Sequence, residues 1–271
     1  MSSMEISNIS KEKLRKLFSE KKRFDGRDLL EFRDIKLSYE VSNKAEGSAR
    51  VTIGKTDVVV GVKLAPGEPY PDSLDKGNLM VSGDLLPLAS PRFESGPPDF
   101  QGIELPRLVD RAIRESGMIN LEDLVITKGE KVWTIFIDVY PINDDGNLID
   151  AATIAAIAAL KKTKLPVLDK NGNIDFEKPA KESLSISKET FPLSFSFYKL
   201  GDSIILDPTR EEEEACDARI TFGISLWSKQ HVLNSCQKAG FETFTQEEID
   251  KIMSVIAEKY DELNQKIKNY L

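Results

Sequence analysis

Only two cysteines and one histidine occur among the 271 residues. Cys216 and Cys236 lie far apart with no CxxC pair, so neither a disulfide scaffold nor a thiolate zinc site is expected. Both read as small buried apolar residues in a reducing compartment. The single histidine, His231, excludes a multi-histidine metal centre, and with no nucleophile beside it in sequence it reads as structural. Long apolar runs are missing too. The longest nearly apolar stretch, Ile149–Leu160, contains Asp150 and is too short to span a bilayer. The first twenty residues mix charges with isolated apolar side chains and show no secretory signal. These absences lead to the expectation of a cytoplasmic protein without membrane contact or cofactor metal.

What is present suits a soluble α+β protein. A hydrophobic content of 40% and a charged content of 30% provide for one large domain or two intimate ones. The net charge of −8 argues mildly against promiscuous nucleic-acid binding. It leaves room for a local basic face, because the distribution of charge decides phosphate binding more than its total.

Local patterns divide the chain. Ser10 reads as the N-cap of a short helix through Lys22, with Ile9 and Leu14 placed for a hydrophobic staple. Alternation at Ile35, Leu37, Tyr39 and Val41 predicts a half-buried strand, followed by strands at Ala49–Ile53 and Val58–Leu64 in an antiparallel meander. Another strand is expected over Leu79–Ala89, between two Pro/Gly-rich loops. A helix is expected over Ile103–Glu115, with Pro106 in its first turn. Strands at Leu124–Thr127 and Val132–Tyr140 precede the Ala-rich helix Ala151–Leu160, whose N-cap reads as Asp150. Asn171-Gly172 marks a hairpin. Strands follow at Phe191–Leu200, Ser203–Leu206, Ala218–Trp227 and His231–Gln237. Thr245 and Glu248 form a capping box for a long last helix, on which Ile249, Ile252, Met253, Ile256, Tyr260, Leu263 and Ile267 keep helical spacing. The expected organisation is an N-terminal helix and lead-in over 1–30, a first half over 31–165, and a second half with the C-terminal helix over 166–271.

Three constellations could carry chemistry. Arg107, Arg111 and Arg114 fall within roughly 60° of one another on a helix whose other face is apolar. They form either a solvated face paired with Glu104, Asp110 and Glu115 or a phosphodiester cradle, since the guanidinium fork matches phosphate oxygens. The junction DDGNLID at 144–150 is a Gly-containing turn feeding a helix, a geometry that favours anions, yet Asp144, Asp145 and Asp150 crowd it with like charge. The acidic cluster Asp207, Glu211–Glu214 and Asp217 reads as a solvated turn or, alternatively, as a Mg²⁺ or general-acid site.

Taken in order, RFDGRD at 23–28, AEGSARVTIGKTDVVVGVK at 45–63, IELPRLVDRAIR at 103–114 and DGNLIDAATIAAIAAL at 145–160 resemble the RNase PH family of phosphate-dependent exoribonucleases. The resemblance spans roughly residues 20 to 260. The stretches GNLMVSGDLLPLASPRFESGPPD at 77–99 and DPTREEEEACDARITF at 207–222 are similar to the family's non-catalytic branch in the archaeal exosome. The resemblance implies an RNase PH-like fold of mixed sheets and packed helices in two related βαβ-type halves. It also implies a place in a hexameric ring with a catalytic RNase PH-type paralogue, single-stranded RNA in a central channel, and RNA-binding cap subunits. Active members hold phosphate with Gly-Gly-Ser/Thr-Arg at the start of the Ala-rich helix. Here Gly146 remains, but the other positions are Asn147, Leu148 and Ile149. Asp207 matches the family's first carboxylate, and Glu213 stands where a second, an aspartate, is expected. Arg107 and Arg111 match the RxxxR of the helix that faces RNA, with Lys63 a weaker third candidate. The implied function is a non-catalytic RNA-binding and scaffolding subunit of a 3′→5′ phosphorolytic exoribonuclease, with no catalytic residue of its own. Replacing Glu212 and Glu213 by Gln is then expected to leave turnover near normal. Two alternatives stand beside it: an independently active homomeric enzyme, and a purely structural ring component.

Overall fold

The computed structural model describes residues 6–169, 172–175, 178, 180, 182–187 and 190–268. Helix α1 (Asn8–Ser19) starts earlier than Ser10, because Ser7 is the N-cap and its hydroxyl accepts from Ser10 N–H at 3.1 Å. Ile9 therefore falls in the first turn facing solvent, 81% exposed, and there is no staple. Leu14 and Phe18 bury the other face in a small core with Tyr198, Leu200 and Ile205.

Strands β1 (Ile35–Tyr39), β2 (Gly47–Ile53) and β3 (Thr56–Gly67) form the expected antiparallel meander. Strand β4 (Asn78–Gly83) is shorter than expected: Asp84 N–H bonds Val139 O, then Ala89 N–H closes a turn on Leu86 O around Pro87. Helix α2 (Phe100–Arg114) follows, capped by Asp99, which accepts from Gly102 N–H at 2.8 Å. Pro106 is thus not in the first turn but well inside the helix. A proline there costs about 3 kcal/mol. Burial of Leu105, Leu108, Val109, Ala112 and Ile113 offsets it, at roughly 1.5–3 kcal/mol for each large aliphatic side chain.

A short 3₁₀ turn (Leu121–Leu124) leads to β5 (Val125–Thr127) and β6 (Lys131–Asn143). The first sheet runs β1-β2-β3-β6-β4, with β4 parallel to β6 and β5 pairing beside it. Helix α3 (Leu148–Lys162) is buried at every residue from Ile149 to Leu160. It lies between β2 and β3 on one side and β9 on the other, and alanines keep it thin enough to fit. Strands β7 (Lys164–Leu165) and β8 (Glu182–Ser183) pair briefly. Asn171 of the expected hairpin lies outside the described residues, although Leu168 and Ile174 bridge antiparallel on either side of it.

The second sheet runs β10-β9-β11-β12, built from β9 (Leu193–Leu200), β10 (Ser203–Leu206), β11 (Ala218–Trp227) and β12 (Gln230–Gly240), all antiparallel. Helix α4 (Arg210–Ala215) links β10 to β11. Helix α5 (Gln246–Lys268) begins at the predicted capping box: Thr245 Oγ1 accepts from Glu248 N–H and Glu248 Oε2 from Thr245 N–H. Its buried stripe is Ile252, Ile256, Tyr260, Leu263 and Ile267, while Met253 lies off it. His231 is structural, its ring 3.1 Å from Asp261 and edge-on to Tyr260. Cys236 departs from expectation, being exposed on the edge strand β12. No helix among the described residues is long and apolar enough to cross a membrane.

Candidate nucleic-acid interface

The three arginines of α2 share a face but not a fate. Arg114 is taken up internally: Nε and Nη2 make a two-point pair with Asp110 at 3.0 and 2.6 Å, and Nη2 also reaches Leu79 O at 2.9 Å. Arg111 is half-exposed, and among the described residues its one hydrogen bond is to Gln237 Oε1, at 3.4 Å. Arg107 is exposed and has no hydrogen-bond or ion-pair partner among the described residues. Glu104, one of the expected partners of the stripe, is instead buried against Arg219. Two open guanidinium groups one turn apart can each meet a phosphate, spaced about 6 Å along the helix.

Lys63 is not brought to them. Lys63, Phe136 and Met80 form one row across β3, β6 and β4, and the row beside it is Leu64, Ile135 and Leu79. The second row is buried with α2 and α3 in the core, so the first projects from the opposite face. The Lys63 ammonium is held there by Glu46 at 2.6 Å and by Lys44 O at 2.9 Å.

The start of α3 is organised quite differently. Asp150 is not the N-cap. The helix begins at Leu148 after Asn147, which adopts left-handed φ 59°, and Asp150 is fully buried one turn in. There its carboxylate accepts from Ser196 Oγ at 2.8 Å and Ser196 N–H at 3.2 Å. Burial pushes its pKa up to about 7 despite those hydrogen bonds. Gly146 is required: its φ is +82°, and a Cβ would lie 2.6 Å from Pro208 O.

The carboxylates that seemed to crowd this junction are each answered from within. Arg92 pairs with Asp144 at 2.6 Å, and Arg33 reaches Asp145 at 3.3 Å and its carbonyl at 2.8 Å. The N–H of Asn147 is already engaged by Glu213 Oε2 at 2.7 Å. So the chain's own carboxylate takes the N–H that this turn offers to an anion. Burial raises the pKa of Glu213, with Arg92 and the Asn147 N–H pulling the other way. Leu148 and Ile149 line the remaining cleft, about 40 Å³ in volume, together with Leu85, Leu105 and the paired groups Arg92, Glu104, Glu213 and Arg219. At roughly 10–15 Å³ per water, that holds only a few solvent molecules.

The acidic run is solvated only at Glu211, which is exposed. Asp207 is buried, taking a two-point pair from Arg33 (Nε at 2.9 Å, Nη2 at 2.7 Å), plus Arg27 at 3.0 Å and Asn147 Nδ2 at 2.8 Å. Burial alone would raise its pKa; the Arg33 hydrogen bonds outweigh that and hold it below the usual carboxylate range. Glu212 is buried against Arg23, which also donates to Leu206 O and Asp207 O. Asp217 pairs with Lys11. Glu212 and Glu213 thus each hold a group of their own chain, Arg23 and the Asn147 N–H. No group of three or more His, Cys, Asp or Glu side chains among the described residues is arranged to hold a metal. A larger groove of about 530 Å³ beside the junction is lined by Asp144, Asp145 and Glu212, already paired as above.

Sequence reasoning missed the roles of Arg23, Arg33, Arg92, Arg219 and Gln237, and it gave Glu104 other partners. RFDGRD signalled the first, and the acid-rich motifs signalled a need for internal cations, but only the fold shows which arginine meets which acid.

Comparison with known proteins bears on this arrangement. The 3′ exoribonuclease family, domain 1, matches residues 31–166, and domain 2 of the same family matches residues 190–255. The exosome complex component Rrp42 of Methanothermobacter thermautotrophicus is 42% identical over 259 residues, covering 95% of this chain and 94% of that protein. Its counterpart from Archaeoglobus fulgidus is 42% identical over 246 residues, 91% of each chain. Among solved structures, a chain of the Archaeoglobus fulgidus exosome with RNA bound to the active site superposes with a TM-score of 0.85 at 40% identity, covering 94% of this chain and 97% of that one. A chain of an archaeal exosome core gives 0.79 at 37% identity, with 92% of each covered. The fold is RNase PH-like, and the chain belongs to the 3′ exoribonuclease family.

Proposed function

We propose that this chain is the RNA-holding, non-catalytic subunit of an exosome-type ring that degrades RNA from its 3′ end by phosphorolysis. It assembles with a catalytic RNase PH-type paralogue and completes that partner's active site, while RNA-binding cap subunits sit on the ring and single-stranded RNA threads it. The family match and the likeness to exosome chains support the assembly. The observation that carries the division of labour is the Glu213 carboxylate on Asn147 N–H, with Leu148 and Ile149 in place of phosphate-binding side chains. Phosphorolysis needs an inorganic phosphate as nucleophile, and at this junction the Asn147 N–H is taken by a carboxylate while the nearby arginines are paired with the chain's own acids. The chain's part is then to hold RNA. Arg107 and Arg111 neutralise backbone phosphates beside the partner's active site, and Lys63, behind the sheet, takes no part there. The working compartment in this reading is the cytoplasm.

The test uses the chain alone and in the ring. Highly purified single chain should release no nucleoside diphosphate from RNA and phosphate, whereas the ring reconstituted with its catalytic paralogue should. Phosphate-dependent release by the single chain would sink the reading in favour of a homomeric enzyme.

A further inference from the structure

Arg107 and Arg111 are equivalent in sequence pattern, yet only Arg111 is held from behind. Its Nη1 donates to Gln237 Oε1 at 3.4 Å. Gln237 in turn donates from Nε2 to Glu104 Oε1 at 3.1 Å, and the same oxygen accepts from Arg219 Nη2 at 2.6 Å. Glu104 is buried, Arg219 leaves 13% of its side chain exposed, and both line the small cleft at the start of α3. The amide orientation follows from chemistry. A carboxylate only accepts, so it fixes the NH₂ end of Gln237 and turns the carbonyl end toward Arg111.

The backbone sets the distance. Gln237 pairs with Thr221 across β11 and β12, and Gly223 lies two residues along β11. A Cβ at Gly223 would overlap Ser235 Oγ and lie 3.6 Å from Ala112 Cα, the residue next to Arg111. The overlap is with the neighbouring strand β12, and the contact with α2 is an ordinary van der Waals one.

We propose that Gln237 is a positioning residue for RNA binding: Glu104 and Arg219 orient its amide, and the amide holds the Arg111 guanidinium ready for a phosphate of single-stranded RNA. The proposal rests on the reading of Arg111 as an RNA contact. A long side chain held in advance loses less freedom on binding than a free one. The charges that fill the closed junction thus extend outward to steady the open one.

The experiment titrates fluorescein-labelled oligoadenylate into the ring assembled with its catalytic paralogue, by anisotropy over a salt series. Gln237→Leu keeps the size and removes both polar atoms. It should weaken binding about threefold, the scale of one neutral hydrogen bond, with the salt slope unchanged because the same phosphates are neutralised. Combined with Arg111→Ala it should add nothing, but combined with Arg107→Ala it should cost the same factor again. Gln237→Asn, too short to span both partners, should repeat the pattern and guards against a folding defect in the first variant. If Gln237→Leu is silent, or costs equally on top of Arg111→Ala, the positioning role is overturned and Arg111 acts alone. If Arg111→Ala itself leaves affinity and salt slope unchanged, the underlying RNA reading fails instead.

Discussion

The start of α3 and the outer face of α2 are two charged regions of one molecule, and they handle charge in opposite ways. At the start of α3 the charges are closed upon themselves: Asp144, Asp145, Asp207 and Glu212 each meet an arginine of the same chain, and Glu213 occupies the Asn147 N–H. On α2 the closure stops partway. Arg114 is satisfied by Asp110, Arg111 has one amide, and Arg107 has no polar partner among the described residues. A buried charge without a partner costs several kcal/mol, so the interior must complete its pairs. A surface arginine carries no such penalty, and its open donors remain available to a phosphate. In the proposed reading, availability for RNA follows from which charges the fold leaves unanswered, not from how many arginines a helix carries.

The largest effect should come from opening the closed region. Asp207→Ala removes a buried carboxylate that takes hydrogen bonds from Arg33, Arg27 and Asn147. Arg33, in the interior, would keep only the more distant Asp145, and Arg27 would keep Asp25, so the loss should be about 3 kcal/mol, the low end for a broken buried pair. Denaturant unfolding of the ring or of the chain should register it as a lower midpoint, and a shift below 1 kcal/mol would mean the cluster is better hydrated than its burial implies.

Next in size is the open region. The ring carrying Arg107→Glu and Arg111→Glu should assemble, since neither side chain contributes to the core. Its RNA affinity should fall about a hundredfold, about 2.8 kcal/mol, and the slope of log K against log salt should flatten by about 1.4 for two lost phosphate contacts. Unchanged affinity and slope in a salt-series titration would make these arginines merely solvated. Failure to assemble would favour the structural-component reading, with the arginines as inter-subunit partners.

A third prediction concerns pH and the closed region alone. Asp150 is fully buried with its pKa raised to about 7, against an ordinary value of 3.8. The folded chain therefore holds a proton that the unfolded chain releases. Stability should fall as pH rises from about 4 toward about 7, and level off above it. Asp150→Asn keeps a carbonyl for Ser196 N–H and an NH₂ for Ser196 Oγ while removing the titration. Thermal unfolding across that window should be flatter in the variant, and an identical pH profile would show that Asp150 is charged throughout.

The strands and helices were legible where one face is buried and the period is clean. The β1–β3 meander, the second-sheet strands and the Thr245 capping box all follow from local pattern. Local reasoning erred where a distant residue decides the outcome. Ser7 captured the cap that Ser10 seemed to offer. Asp150 resembles an N-cap in sequence but is claimed by Ser196, forty-six residues on. Glu212 resembles a surface acid until Arg23 arrives from 189 residues away. The site divides in the same manner. The arginine stripe is a local helical pattern and was visible, whereas Gln237 reaches Arg111 across 126 residues and leaves no local trace.

The smallest expected effect sharpens the comparison most, because it separates pattern from availability. Arg114 lies on the same stripe as Arg107 and Arg111 and is one residue type with them, so a reading based on charge count alone gives it an equal share in RNA binding. The structure commits its Nε and Nη2 to Asp110 and Leu79 O. Arg114→Ala should therefore leave RNA affinity and salt slope within error of the unaltered ring. Stability should drop by only about 0.3–0.5 kcal/mol, the scale of an exposed i,i+4 pair. The informative measurement is the salt slope set beside that of Arg107→Ala. A slope that flattens by about 0.7 for Arg107 and not at all for Arg114 upholds the rule that internal pairing withdraws a charge from ligand binding. Equal flattening would mean that the Asp110 pair opens to RNA at little cost, and that the helix face binds through its summed field rather than through the two forks left free.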